Sequence, residues 1–204
     1  IYQGARLSFF MLLFLSLPII CNTPYILQLW LKEVPEHTVL FAQLTLIFAL
    51  SESISNPLIT AMLATGRIRN YQLVVGGLQM MNLPISYVLL RMGWIPETVL
   101  IVAIVISQCC LASRLYMLRG LIGLKARHYL HNVYLNVLSV SVCAVILPMI
   151  ASYYLREGFI SFILICLLCV FSVSVSVYYI GCTTQERIFI KNKVSQIQNK
   201  IFNK

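Results

Sequence analysis

The sequence predicts an all-α, polytopic membrane protein with six transmembrane helices, and three observations carry that reading. Apolar residues make up 60% of the 204-residue chain and charged residues only 10%, a balance that no water-soluble core requires. Mean hydropathy is +0.88, and the apolar residues gather into blocks that, at about 1.5 Å per helical residue, match a hydrocarbon layer roughly 30 Å thick. The lysines and arginines lie in short loops and a tail between those blocks. The formal net charge of +9 therefore reads as membrane topology rather than as a nucleic-acid surface.

Leu7 to Trp30 is the first block, interrupted by Pro18 and Pro24, which a membrane helix tolerates when neighbours satisfy the freed carbonyls. After the loop Leu31 to Glu36, the second block runs from Thr38 to Thr65 and closes on Gly66, Arg67 and Arg69, a glycine and cations suited to a helix C-terminus at the water boundary. The third, Tyr71 to Leu90, carries Gly76, Gly77, Gln79, Asn82 and Pro84, so one face is small and polar and suited to close helix packing. Glu97 to Met117 is the fourth. A basic loop is expected from Arg119 to His131, then two blocks, Val133 to Tyr154 and Phe159 to Ile180, joined tightly enough to form an antiparallel hairpin. Three regions result: residues 1–123 with four spans, 124–181 with the hairpin, and a tail over 182–204. In the tail Ile190, Val194, Ile197 and Ile201 form one apolar stripe among lysines, as a helix lying on an anionic leaflet would, with a frayed tail as the alternative.

The second block holds the residue with the most to explain. Glu52 falls near its midpoint, where an ionised carboxylate costs roughly 2.5–3.5 kcal/mol on insertion scales, so it should face protein or water or take up a proton. Asn56 lies four residues on, and Pro57 removes one backbone N–H and frees a carbonyl, which predicts a kink with polar groups around it. Glu52, Asn56, Pro57, Gln43, Gln79 and Asn82 are the candidates for lining or gating a cavity. The bland alternative is a structural carboxyl bonded to a glutamine or arginine of a neighbouring helix. Arg114 is either that ion-pair partner or a side chain reaching the interface.

Other chemistry finds little support. The seven cysteines sit almost wholly in apolar blocks, and Cys166 and Cys169 have C-x-x-C spacing but neither a histidine nor a second pair nearby, so they read as small hydrophobes. His128 and His131 lie three apart without a carboxylate or cysteine beside them, which argues against a metal, and no cofactor is expected. Aspartate is absent and histidines occur only at 37, 128 and 131, leaving an enzyme without the paired acids or general base it needs.

Six spans place the loops alternately on two sides. Arg6, Arg67, Arg69, Arg114, Arg119, Lys125, Arg127, Arg187, Lys191, Lys193, Lys200 and Lys204 fall on one side and Lys32, Arg91 and Arg156 on the other. The positive-inside rule then puts both termini in the cytoplasm. Because residue 1 is isoleucine and no cleavable signal precedes the first block, the chain is expected to be the C-terminal part of something longer.

The loops and prolines resemble a family. Pro24, Leu29-Trp30-Leu31 and Pro35, then Asn56-Pro57-Leu58, Ala64-Thr65-Gly66-Arg67 and Tyr71-Gln72, then Leu83-Pro84-Ile85-Ser86-Tyr87, Gly93 and Pro96 are similar to the later helices of Wzx-type polysaccharide flippases. These belong to the MATE-like multidrug/oligosaccharidyl-lipid/polysaccharide exporter superfamily. The resemblance spans about residues 24–123; the last two blocks match only in composition and position. It implies the ninth to fourteenth helices of a fourteen-helix protein in a bacterial inner membrane. It also implies movement of an undecaprenyl-diphosphate-linked oligosaccharide between leaflets by alternating access, with membrane lipid, that lipid-linked oligosaccharide and the missing N-terminal helices as partners. No binding residue carries over. A cation-coupled drug antiporter of the same superfamily, with Glu52 as its ion or proton site, and a non-transporting membrane scaffold are the competing expectations.

Overall fold

The computed structural model describes residues 1–31, 33–154, 158–183 and 186–187. It is 87% helical with no strand among the described residues, so every tertiary contact at the site is one helix against another. The helices are α1 (Tyr2–Cys21), α2 (Thr23–Trp30), α3 (Thr38–Ala64), α4 (Ile68–Met80), α5 (Asn82–Arg91), α6 (Thr98–Ile122), α7 (Ala126–Tyr129), α8 (Asn136–Tyr154) and α9 (Phe159–Ser176). Two π-helical stretches, Leu130–Leu135 and Val177–Gly181, continue α7 into α8 and extend α9. Six segments are long and apolar enough to cross a membrane: Tyr2–Cys21, Thr38–Ala64, Ile68–Arg91, Thr98–Ile122, Ala126–Ser152 and Phe159–Gly181.

Three boundaries differ from the sequence expectation, each for a local reason. The first span starts at Tyr2 rather than Leu7 and breaks at Asn22, because Pro24 has no N–H to give the carbonyl of Ile20. The third breaks at Met81, where Pro84 likewise leaves the carbonyl of Met80 without its helical donor. The expected basic loop from Arg119 to His131 shrinks to Gly123–Lys125. Helix α6 runs on to Ile122 until Gly123 turns left-handed (φ 68°), and helix resumes at Ala126. Arginine, leucine and lysine favour helix as readily as they favour a solvated loop. The stripe expected over residues 190–201 and the link at 155–157 lie outside the described residues.

The helices stack in a row. The α8–α9 pair packs on α1, α1 on α3, α3 on α6, and α4 with α5 on the far side of α6. One apolar core, from Phe9 and Leu13 through Leu58, Met62 and Leu118 to Val140 and Val173, joins the first four spans to the terminal pair. Paired contacts fix the directions. Arg6 reaches Glu186 while Tyr25 stacks on Phe162 at 5.2 Å between ring centres, so α1 and α9 are antiparallel. Helices α3 and α6 run together, His37 meeting Glu97 and Ser51 meeting Ser107; α4 opposes α6, with Tyr71 beside Arg114. Arg6, Arg67, Arg69, Arg119, Lys125, Arg127 and Arg187 therefore share one end of the bundle.

The prolines also explain how the spans are joined. The Ile20 carbonyl, freed by Pro24, accepts from Gln43 Nε2 at 3.1 Å and from Thr23 Oγ1 at 3.1 Å. Next to the turn opened by Pro57, the carbonyl of Ile54 accepts from Tyr129 Oη at 2.8 Å. The Ala144 carbonyl, freed by Pro148, accepts from Ser172 Oγ at 2.9 Å. A freed carbonyl in hydrocarbon has no water to turn to, so a polar side chain from the next span becomes the joint.

Candidate functional site

Helix α3 is 27 residues long and crosses α6 near its middle, where both present small polar side chains. Ser107 Oγ donates to Glu52 Oε1. Ser51 Oγ lies 3.3 Å from Ser107 Oγ and, since the Ser107 proton is committed to the carboxylate, Ser51 is the donor there. Gln108 Nε2 donates to Ser51, and Tyr134 Oη, from the π-helical stretch, donates to Gln108 Oε1 at 3.3 Å. Every hydrogen bond from Tyr134 through Gln108, Ser51 and Ser107 thus points towards Glu52. A chain of donors aligned in this way stabilises negative charge at its end.

The i→i+5 bonding of the π-helical stretch makes this chain possible. It widens the turn, so Tyr129 and Tyr134, five apart, both face the α3–α6 pair. Without the bulge they would point about 140° apart around an α-helix.

Glu52 faces a small, partly open cavity of about 120 Å³ that it shares with Ser107, Gln79 and Asn82 and that Phe48 and Ile106 also line. Gln79 and Asn82 flank the break between α4 and α5 at Met81. Asn82 Oδ1 also accepts from Ser86 Oγ at 3.2 Å. The break is a single residue: Met81 keeps a right-handed helical backbone and its N–H still reaches the Gly77 carbonyl at 3.3 Å, so the span is locally loosened at Pro84 rather than unwound.

The structure divides the remaining candidates. Gln43 is a joint to Ile20 and does not line the cavity. Pro57 packs against α1, where a Cβ on Gly4 would lie 3.7 Å from its Cγ. Asn56 is exposed on the outer side of α3, its carbonyl accepting from Thr60. The expected Glu52–Arg114 ion pair does not form, because the hydrogen-bond partner of Glu52 is Ser107. Arg114 does not reach an interface either: it is 2% exposed and donates through Nε to Tyr71 Oη at 3.4 Å, with Nη1 unpaired.

Sequence reasoning missed a second buried acid. Glu97, expected only as the edge of the fourth span, is 2% exposed and its Oε1 lies 2.5 Å from His37 Nδ1, at the end of α3 opposite the cationic loops. The usable signal was the first turn of α6 opposing the first turn of α3, which only the parallel course of those helices reveals. Cys166 and Cys169 separate, Cys169 buried and Cys166 half-buried on the side of α9 that meets Asn22. His128 and His131 are linked through Asn132.

These features define an α-helical membrane protein of six spans with a polar seam at mid-depth. No protein-family model, curated protein or solved structure matches the chain, which leaves the likeness to Wzx-type flippases resting on the motifs of its own loops.

Proposed function

We propose that the chain is part of a transporter that carries an undecaprenyl-diphosphate-linked oligosaccharide from the cytoplasmic to the periplasmic leaflet of a bacterial inner membrane. It would work by alternating access together with further helices. The polar cavity between Glu52 and the proline-loosened span carries this reading. A span loosened at mid-depth by Pro84, with Gln79 and Asn82 beside the loosened turn and a carboxylate across a cavity, puts polar groups at the depth where transporters hold a polar cargo between two leaflets. Amide and hydroxyl groups suit sugar hydroxyls. The reading assigns no bond-making step to the chain.

The directed hydrogen-bond chain ending on Glu52 favours a second reading, a cation-coupled antiporter with Glu52 as the ion site. The gene encoding this chain, introduced into a strain lacking its O-antigen flippase, should restore surface polysaccharide, and Gln79→Leu with Asn82→Leu should cut that restoration about tenfold at equal protein level. Failure to restore, together with proton-coupled dye efflux that Glu52→Gln abolishes, would overturn the flippase reading in favour of the antiporter.

A further inference from the structure

At the cationic end of the bundle, far from the Glu52 seam, α1, the π-helical stretch 130–135, α8 and the close of the last span surround a polar cleft of about 730 Å³. Arg6, His128, His131, Asn132, Asn136 and Thr183 line it, and among the described residues no carboxylate lines it directly, Glu186 standing behind Arg6 and Thr183. Two of its walls hold buried groups with nothing to bond.

Arg6 is only 7% exposed. Its Nη2 donates to Glu186 Oε1 at 2.7 Å, but Nε is buried without a partner. A buried donor left unmatched forfeits roughly 1–3 kcal/mol, and more when the group is charged. Asn136 supplies the complementary case. Its Nδ2 donates to the carbonyl of Ile180 at 3.0 Å, which fixes the amide's orientation and leaves Oδ1 as a buried acceptor without a donor. Beside them Asn132 Nδ2 reaches the His128 ring at 2.7 Å and Asn132 Oδ1 lies 3.3 Å from His131 Nδ1, so both imidazoles are held in place at the rim.

A ligand that completes this cleft must accept several hydrogen bonds, carry negative charge, and donate one hydrogen bond to Asn136. Carboxylate and sulfate have no proton to donate near neutral pH, and neither does a phosphodiester. Inorganic hydrogen phosphate keeps one O–H throughout the neutral range, and a phosphomonoester keeps one in its singly ionised form, a minority species at neutral pH because its second ionisation falls near pH 6, which the cleft would select. We propose that the cleft binds a phosphomonoester group, with Arg6 Nε donating to its oxygens and its P–OH donating to Asn136 Oδ1. Glu186 is then a competitor for Arg6, held in reserve by the backbone N–H of Thr183 at 2.8 Å. The assignment stands whether or not the chain moves oligosaccharide.

Two sources share this chemistry, a soluble phosphate and the headgroup of a lipid phosphomonoester, and two arms of one experiment separate them. In the first, the full chain in phosphatidylcholine nanodiscs is dialysed against radiolabelled inorganic phosphate with sulfate as competitor. In the second, nanodiscs doped equally with phosphatidic acid and phosphatidylglycerol are extracted, and the lipid retained on the protein is identified by mass spectrometry. Saturable phosphate binding that equimolar sulfate does not displace, or retention of phosphatidic acid over phosphatidylglycerol, supports the site and names the source.

In whichever arm binds, Arg6→Ala should weaken binding about tenfold or more, and Glu186→Gln should tighten it by freeing the guanidinium. A merely structural Arg6–Glu186 pair would not produce those opposite signs. Asn136→Ala, which leaves Arg6 and Glu186 in place, should erase the preference over sulfate or over the phosphodiester. Binding absent from both arms, or indifferent to Arg6→Ala and Asn136→Ala, overturns the proposal.

Discussion

Glu52 is tolerable at the middle of α3 because of its immediate donors. Ser107 supplies the direct hydrogen bond and the three groups behind it are each committed in the same sense. Ser107→Ala should therefore be worse than Tyr134→Phe, although both remove one hydroxyl. The first leaves the carboxylate without its donor, at a cost of about 1–3 kcal/mol, and the second removes only the distal end of the chain, at about 1 kcal/mol or less. Unfolding in mixed micelles of rising denaturing-detergent content measures both, and equal costs would show that the chain is not polarised towards Glu52. Glu186 makes a prediction of opposite character. Burial works against its charge, but the hydrogen bonds from Thr183 and the charge of Arg6 outweigh it and hold the carboxyl below the usual carboxylate range. A carboxylate lowered in the folded state stabilises above its ordinary value, near pH 4.3, and that stability is lost as pH falls through the lowered value. The Thr183 amide should therefore keep its protection from hydrogen exchange at neutral pH and lose it only in acid below the ordinary carboxylate range, relative to a Glu186→Gln control.

At the scale of the helix, prolines decide both where spans break and what joins them. Pro24 and Pro84 lie within a few residues of breaks, whereas Pro148 lies inside α8 without ending it. Pro18 and Pro57 likewise lie inside α1 and α3, and at Pro148 the freed Ala144 carbonyl is answered by Ser172 from α9. Ser172→Ala should cost about 0.6–1.7 kcal/mol, the range of interhelical hydrogen bonds in membrane proteins. In a Pro148→Ala background the same substitution should cost close to nothing, since the restored N–H then satisfies Ala144 within α8. A double-mutant cycle reads that coupling, and additivity would refute the joint. This logic also sets what the sequence could reveal. All six spans were legible, because long apolar runs leave few alternatives to a membrane helix. The cavity trio of Glu52, Gln79 and Asn82 stood out as polar groups within apolar blocks. Gln43 stood out equally, yet it serves Ile20, and nothing in the local pattern says whether a polar side chain faces a cavity or a broken helix on another span. The π-helical stretch was illegible for a related reason: its use lies in aiming Tyr129 and Tyr134 at partners about 75 and 26 residues away.

For the molecule as a whole, the antiparallel alternation of spans collects Arg6, Arg67, Arg69, Arg119, Lys125, Arg127 and Arg187 at one end and leaves Arg91 at the other among the described residues. The extension of α6 and α7 into the expected loop does not disturb this, because those helices meet at Gly123–Lys125 on the same end. Short, cation-rich connections stay in the cytoplasm since moving each lysine or arginine across the bilayer is opposed at insertion. A reporter active only in the periplasm should therefore be silent when fused after Lys125 and active when fused after Gly93, and a reporter that folds only in the cytoplasm should give the reverse pattern. Moving the bias tests its cause. Replacing Arg119, Lys125 and Arg127 with glutamine while adding lysines beside Gly93 should raise the share of inverted molecules, because the two central connections would then carry opposite signals. If the fusion after Lys125 is active in the periplasm in the unaltered chain, the phosphomonoester cleft faces outward, and its ligand must come from the outer leaflet or the periplasm rather than from the cytoplasm.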